Sequence, residues 1–352
     1  ALACSIEYGI IPGTNNDLSE VINTTLLMLS ADSLGLYFPA GDYRVSDNIQ
    51  LYTGSHMIGS SIGTTIFRSE VVGWTPNIGD NLNWSNVIND IIIRNLVLDN
   101  IIIHFYGGYK TNIIIEYNAI INTDDIGYQI HISHTPFIVH GNLLMRGPYH
   151  PGSGMGLYMN NNTIISGNYV GDILMISKAF NYIDESTQLL ADKVKSASEN
   201  DRLLINSNQG NYITAITSSD GLTDSKIHMN FIVGNKLETL YNNSTELFDI
   251  YRDHVIYCNG YKRLEVSQNY LYGWPKDAHG QAKFRNATGL YFAANYLDSV
   301  SFHARPYNNH SILSMNETFI FNNYIKGHVW KNNLNPCYNV CGKGIQKEKV
   351  TL

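Results

Sequence analysis

A short apolar phrase containing an asparagine recurs along the chain and constrains its fold more than any other feature. It reads IIIRNLV at 91–97, IIIEYNAI at 113–120 and FIVHGNLL at 137–144, and five further copies follow. Successive asparagines are separated by 23, 24, 26, 67, 34, 26 and 28 residues: Asn95, Asn118, Asn142, Asn168, Asn235, Asn269, Asn295 and Asn323. A period of about 20 to 50 residues indicates stacked units that bury their apolar faces against one another.

Each copy joins two short β-rich runs through a bend at which the asparagine tolerates left-handed backbone angles and bonds to the asparagine of the next copy. The pattern predicts an all-β fold, a right-handed parallel β-helix (a solenoid) with an N-terminal α-helical cap and a mid-chain insertion. We expect one domain over 1–352, with the cap and first coils at 8–67, main coils at 85–174 and 227–325, the insertion at 175–220 and a C-terminal cap or tail at 326–352.

The cap is predicted from a helical pattern near the N-terminus. Asp17 and Glu20 have the spacing of a capping box, and one apolar face follows: Leu18, Val21, Ile22, Thr25, Leu26 and Leu29. A helix here would cover the unpaired strand edges that an open β-helix end exposes.

The composition favours an extracellular protein. Charged residues make up only 15% of the chain, there are 24 tyrosines, and a net charge of −7 argues against nucleic acid as a partner. No apolar run is long enough to span a membrane. We expect a secreted, periplasmic or cell-surface monomer or homotrimer, with Cys4 either a lipid-anchored residue or part of a processing remnant. Cys337 and Cys341 are either a small disulfide loop or two free thiols.

Residues 8–67 carry a resemblance to a known superfamily. Tyr8-Gly9, Asn16-Asp17, PAGDY at 39–43 and the stretch Gly59–Thr65 follow one another in its order. This passage resembles the start of the pectate-lyase-like single-stranded right-handed parallel β-helices, a superfamily of polysaccharide lyases, glycoside hydrolases, epimerases and phage tailspikes. The resemblance implies the fold and a polysaccharide as the partner, and it leaves the chemistry open.

A row of basic and aromatic residues follows from strand alternation. In AKFR at 282–285, an inward Phe284 places Lys283 and Arg285 outside, and an inward Ile130 does the same for Gln129, His131 and Ser133. The same counting turns five further residues outward: Tyr158, His254, Tyr257, His303 and Arg305.

This row predicts a groove for an acidic sugar chain. An arginine can bind a carboxylate in a forked pair, which acidifies the adjacent C–H, and a Lys, His or Tyr can then remove that proton. The arrangement resembles β-helix lyases of the alginate and chondroitin type, which use a Lys and an Arg from adjacent coils. We therefore predict Lys283, Arg285, His254 and Tyr257 as catalytic residues of a β-elimination, with His131, Tyr158, His303 and Arg305 binding substrate.

Three other functions stay open. Paired carboxylates could serve an inverting glycoside hydrolase, and two pairs are candidates: Asp124 with Asp125, and Asp249 with Asp253. A non-catalytic carbohydrate-binding spike or adhesin needs no such chemistry. A uronan epimerase begins with the same proton abstraction as a lyase. We expect no metal and no cofactor; calcium is the alternative, but no calcium-binding motif is present.

Overall fold

The computed structural model describes most of the N-terminal part and a series of shorter segments after it. The described residues are 1–72, 74–80, 87–105, 110–121, 128–133, 136–146, 153–158, 163–172, 216–218, 223–233, 256–259, 262–272, 282–285, 288–297, 300–303, 316–326 and 329–332. The chain divides into two compact units, Ala1–Gly156 and Leu157–Leu352, which are described separately.

The first unit contains three sheets, named A, B and C, whose described strand pairs are all parallel. Sheet A is formed by Leu2–Cys4, Gly35–Phe38, His56–Gly59, Ile88–Arg94, Lys110–Glu116 and Phe137–His140. Sheet B is formed by Gly41–Arg44, Thr65–Arg68, Val97–Asp99, Ala119–Ile121 and Leu143–Arg146. Sheet C is formed by Ile49–Gln50, Asn77–Gly79, Ile102–Phe105 and Tyr128–Ser133. A further strand, Ser153–Tyr158, spans the boundary between the units.

The second unit repeats the three-sheet order. Its sheet A is formed by Ile164–Ser166, Thr223–His228, Lys262–Ser267, Thr288–Ala293 and Asn316–Phe321. Its sheet B is formed by Tyr169–Asp172, Phe231–Val233, Tyr270–Tyr272, Tyr296–Leu297 and Tyr324–Ile325. Its sheet C is formed by Ile216–Ser218, Ile256–Asn259, Ala282–Arg285, Val300–His303 and Val329–Asn332.

Each coil passes once through sheets A, B and C, and the equivalent strand of the next coil pairs with it in parallel. This strand order defines a parallel β-helix, as the recurring phrase predicts. In the first unit the core is a set of stacked apolar side chains that are fully or almost fully buried: Leu36, Met57, Ile93, Ile115 and Val139 in sheet A, Tyr43, Phe67, Leu98, Ile120 and Leu144 in sheet B, and Ile49, Ile78, Ile103 and Ile130 in sheet C. The expectation of two β-runs per repeat is corrected to three, because the sheet C strand lies away from the asparagine bend.

Stacked asparagines join sheet A to sheet B in both units. In the first unit Asn118 donates from its side-chain amide to Oδ1 of Asn142 over 3.1 Å. In the second unit the same contact links five buried or half-buried residues over 2.9 to 3.0 Å: Asn168, Asn230, Asn269, Asn295 and Asn323. These contacts provide hydrogen bonds for buried amide groups. A buried amide without a hydrogen bond would destabilise the folded chain.

Of the eight predicted ladder residues, Asn95 is wrong, and Asn235 lies outside the described residues. The ladder position of its coil is occupied by Leu96, whose N–H donates to Oδ1 of Asn118 over 3.1 Å, and Asn95 is the preceding residue. Asn235 lies outside the described residues, and Asn230 takes its predicted place in the ladder. The error arose because the strand Phe231–Val233 follows the bend and does not precede it.

The left-handed backbone at each bend belongs to the residue before the ladder position, which is Leu96 in one coil and an asparagine in the others. Its φ lies between 52° and 63° at every such position: Asn95, Tyr117, Gly141, Gly167, Met229, Gln268, Ala294 and Asn322. For a residue other than glycine, this backbone conformation costs about 1 to 2 kcal/mol relative to the right-handed one.

Replacing Ala294 by Gly is therefore expected to raise the free energy of unfolding by up to about 1 kcal/mol, because relief of the left-handed strain exceeds the entropy cost of glycine. The matched control is Ala293→Gly in the adjacent strand, which is expected to lower it by about 0.5 to 1 kcal/mol. Urea unfolding of both variants measures the difference. Equal destabilisation by the two variants would contradict the assignment of strain to Ala294.

The predicted N-terminal helix is present at Ser19–Ala31 and packs on the strands Gly35–Phe38 and Ile49–Gln50. Its buried residues include four of the predicted face: Ile22, Thr25, Leu26 and Leu29. Asp17 accepts hydrogen bonds from Ser19 and from Ser46, so it ties the start of the helix to the segment after sheet B. Burial acts to raise the pKa of Asp17, but these hydrogen bonds outweigh that effect and lower the pKa below its usual value.

The outer face of sheet B in the second unit carries a row of stacked aromatic rings. The rings follow one another at centroid distances of 4.6 to 5.1 Å: Tyr169, Phe231, Tyr270, Tyr296 and Tyr324. They alternate with the buried residues of the same strands, such as Val170, Ile232 and Leu271.

The predicted domain limits fall partly outside the described residues. Within the predicted insertion at 175–220, the described strand Ile216–Ser218 pairs in parallel with residues 256–258, so it belongs to sheet C of the second unit. Within the predicted tail at 326–352, the strand Val329–Asn332 pairs with Val300–His303. The remainder of both segments lies outside the described part of the chain.

Candidate functional site

Four predicted site residues stand on neighbouring strands of sheet C in the second unit. Tyr257 is the register partner of Lys283, and Arg285 is the register partner of His303. Lys283 and Arg285 are two positions apart on the strand Ala282–Arg285, so alternation assigns their positions to the same side of the sheet. We call this group of four positions the sheet C block.

Lys283 is more enclosed than the sequence indicates. Its strand neighbours Ala282 and Phe284 are fully buried in the core, as predicted for Phe284, which puts Lys283 on the outer side. Yet Lys283 is only 5% exposed. Alternation therefore predicted the outward position of Lys283 but not its enclosure, because it fixes the direction of a side chain and not what covers it.

Most of the remaining predicted site residues, including both acidic pairs, lie outside the described part of the chain. Tyr158 is the last residue of the strand Ser153–Tyr158. Six predicted residues lie outside the part of the chain that the structure describes: Asp124, Asp125, Asp249, Asp253, His254 and Arg305. The cysteines 337 and 341 lie outside it as well.

In the first unit, His131 stands on the outer side of sheet C beside a second histidine. Ile130 is fully buried, and the next residue, His131, is the register partner of His104 on the adjacent strand. Nδ1 of His131 lies 3.0 Å from Nε2 of His104, and the two rings stack with centroids 4.8 Å apart. Gln129, predicted to be displayed beside His131, is 2% exposed and donates from Nε2 to the carbonyl of Ile120 over 3.0 Å.

His104 was missed by the sequence analysis although its signal is readable. The run IIHF at 102–105 has the same alternation as the run around His131, with Ile103 and Phe105 fully buried on either side. One coil earlier the equivalent residue is Gly79. A Cβ atom at Gly79 would lie 1.8 Å from the carbonyl oxygen of His104, so only glycine fits beneath this pair.

The histidine pair is expected to make stability depend on pH. Burial, and then the neighbouring His104, lower the pKa of His131 to about 4. The unfolded side chain has a pKa of about 6.5 and binds more protons between these values, so the free energy of unfolding falls as the pH drops through this window. Between about pH 7 and about pH 4.5 the loss attributable to His131 is on the order of 2 to 3 kcal/mol.

The check is urea unfolding of the wild type and of His131→Gln at both pH values. The variant is expected to lose less stability on acidification than the wild type by that amount. An identical pH dependence in the two proteins would mean that His131 titrates normally in the folded state.

Two negative findings concern only the described residues. Among them, no helix is long and apolar enough to cross a membrane. No group of three or more His, Cys, Asp and Glu side chains in those segments is placed to hold a metal ion.

The strand order defines the class of the protein, a parallel β-helix. No protein-family model matches the sequence, and no curated protein matches it. Among solved structures, the chain is similar to the A-module of the mannuronan C-5 epimerase AlgE6 of Azotobacter vinelandii, at 13% identity and a TM-score of 0.46, over 94% of this chain and 90% of that one.

Two further solved structures are similar to the chain. PfbA, a surface adhesin of Streptococcus pneumoniae, has 11% identity and a TM-score of 0.48 over 96% of each chain. ORF18 of Geobacillus virus E2 has 12% identity and a TM-score of 0.46, over 86% of this chain and 57% of that one. At these identities and TM-scores, none of the three proteins' activities transfers to this chain.

Proposed function

We propose that the protein is a polysaccharide lyase that cleaves an acidic, uronic-acid-containing chain by β-elimination on the outer face of sheet C in the second unit. The observation that supports this proposal most is the register of the sheet C block, in which Tyr257 is paired with Lys283 and Arg285 with His303. It brings a carboxylate-binding residue type and three proton-transferring residue types onto adjacent coils.

In this mechanism Arg285 binds the carboxylate of the uronic acid in a forked pair and stabilises the negative charge that develops there. Lys283 removes the proton from the carbon that bears the carboxylate. The electron pair of that C–H bond forms a C=C bond, and the C–O bond to the glycosidic oxygen breaks. Tyr257 donates its phenolic proton to the departing oxygen, so one substrate chain yields one saturated and one unsaturated end.

The enclosure of Lys283 fits this role. A side chain that is 5% exposed is largely removed from bulk water, where electrostatic interactions are stronger than at an open surface. A base that acts next to a bound carboxylate benefits from the same exclusion of water, because water does not compete for the developing charge.

We also propose roles for the substrate-binding residues and for the N-terminal helix, and a location and oligomeric state for the protein. His131, Tyr158, His303 and Arg305 bind sugar hydroxyl or carboxylate groups, as histidine, tyrosine and arginine can donate hydrogen bonds to them. The helix Ser19–Ala31 caps the first coil. The protein acts outside the cytoplasm, as a monomer or homotrimer, without a cofactor.

The test is incubation with alginate, pectate, chondroitin, hyaluronan and a bacterial capsule, with ultraviolet absorbance and new reducing ends recorded together. An absorbance rise with new reducing ends on one substrate is expected, since elimination leaves a conjugated unsaturated sugar. New ends without absorbance would replace the lyase by a hydrolase that uses the acidic pairs. Neither signal on any substrate would overturn the proposal in favour of an epimerase or a binding protein.

A further inference from the structure

Tyr117 adopts a backbone conformation that is unfavourable for an aromatic residue, at an exposed position of the first unit. It follows the sheet A strand Lys110–Glu116 and precedes the ladder residue Asn118. Its φ is 55°, in the left-handed region, and 44% of the residue is exposed. The other described bends of the ladder share this left-handed conformation, so the feature that sets Tyr117 apart is its exposed aromatic ring.

The bend itself does not require an aromatic ring. The other described left-handed positions before the ladder are occupied by Asn, Gly, Met, Gln and Ala: Asn95, Gly141, Gly167, Met229, Gln268, Ala294 and Asn322. Ala294 shows that a single methyl group completes the same bend, with φ of 53°. The bend therefore does not explain why this position carries an aromatic ring.

The coil above Tyr117 is shaped to accommodate that ring. A Cβ atom on Gly141 would lie 2.7 Å from both Cδ1 and Cε1 of Tyr117, so the ring lies directly against the glycine backbone. His140 contacts the ring edge-on, with centroids 5.4 Å apart and planes at 83°. One side of the ring is thus fixed by packing while close to half of the residue faces solvent.

Three polar residues end the sheet A strands at the bends beside Tyr117. Arg94, Glu116 and His140 are register partners on three consecutive strands. Nε of Arg94 donates to Oε1 of Glu116 over 2.7 Å, and a second guanidinium N–H donates to the same oxygen. A guanidinium has about five N–H donors in total, so Arg94, whose side chain is 40% exposed, retains donors for a ligand.

We propose that Tyr117, with Arg94, Glu116 and His140, forms a non-catalytic subsite for one pyranose residue of a saccharide chain. A pyranose has an apolar C–H face, which packs on an exposed aromatic ring, and a rim of hydroxyls that bond to fixed polar groups. Arg94 and Glu116 neutralise each other, so the subsite has no strong charge preference. It recognises the C–H face and the hydroxyls, which neutral sugars and uronic acids have in common. The subsite lies on sheet A and does not depend on the lyase reaction.

The experiment is isothermal titration of cello-oligosaccharides, oligogalacturonate and oligomannuronate into the full chain. Lys283→Met serves as the background in every titration, so that a cleavable probe is not consumed. Tyr117→Ala is expected to weaken binding about tenfold, equivalent to about 1.4 kcal/mol. Tyr117→Phe, which keeps the ring, is expected to bind within about threefold of the parent. Ala294 shows that alanine is compatible with the bend.

The control is Tyr324→Ala, which removes a ring of similar exposure, 41%, from the aromatic row of the second unit. It is expected to leave binding unchanged. Equal weakening by Tyr324→Ala, unchanged binding in Tyr117→Ala, or no binding of any probe to the parent would each overturn the proposal. A purely structural Tyr117 would alter the urea unfolding midpoint but not the binding constant. Tighter binding of the uronate probes than of the neutral probe would identify the source as an acidic chain.

Discussion

Replacing Asp80 by Asn is expected to lower the free energy of unfolding by about 3 to 5 kcal/mol, although Asp80 is not part of the proposed site. Oδ2 of Asp80 lies 2.6 Å from Nζ of Lys110, and both side chains are fully buried in the first unit. Removal of the carboxylate leaves the ammonium in a medium that solvates it poorly, which costs more than the ion pair contributes. Lys110→Met is expected to cost a similar amount.

The decisive control for this ion pair is the double variant that carries Asp80→Asn together with Lys110→Met. When both charges are removed together, no charge is left unpaired, and the loss is expected to be much smaller than the sum of the single losses. Urea unfolding of the wild type, both single variants and the double variant measures the coupling. Strictly additive losses would show that the two side chains do not act as a pair.

Replacing Lys283 by Met is expected to lower the turnover number of the proposed elimination by about 100-fold to 10,000-fold, the contribution of a positioned general base. Methionine occupies a similar volume on the buried outer side of the strand, so the circular dichroism spectrum is expected to stay that of the wild type. The measurement is the rate of absorbance increase on whichever uronic acid polymer the wild type cleaves.

Lys226→Met provides the matched control for Lys283. Lys226 lies on sheet A of the second unit, is exposed, and pairs with Glu265 over 3.1 Å. Loss of such a surface pair changes stability by at most about 1 kcal/mol, and the rate is expected to remain that of the wild type. Wild-type turnover in Lys283→Met would remove this lysine from the mechanism and leave Tyr257 or a histidine as the base.

Much of the fold could be predicted because stacked units repeat the same physical problem in every coil. Alternation identified Ile130 and Phe284 as core residues. The asparagine period identified six ladder residues: Asn118 and Asn142 in the first unit, and Asn168, Asn269, Asn295 and Asn323 in the second. The helix Ser19–Ala31 was readable from its apolar spacing. These features can be read from a few neighbouring residues or from the repetition of one short phrase.

The errors concern features that depend on residues far apart or that lie outside the recurring phrase. The number of strands per coil was underestimated because the phrase covers only the two strands that flank the asparagine bend, whereas the sheet C strand lies away from it. The enclosure of Lys283 and the pairing of Asp80 with Lys110 arise from chain segments that meet only after folding. Likewise, the assignment of Asn95 to the ladder failed because the phrase does not reveal which residue adopts the left-handed conformation.

The central claim is that the chain breaks a uronic acid polymer by elimination, and product mass tests it most directly. Each candidate polymer is incubated with the protein in heavy water, and the resulting oligosaccharides are weighed by mass spectrometry. The proposed reaction predicts shorter chains whose new non-reducing ends lack one water relative to hydrolysis products. Shorter chains that retain this water, chains of unchanged length that gain deuterium on carbon, or wholly unchanged chains would each contradict it.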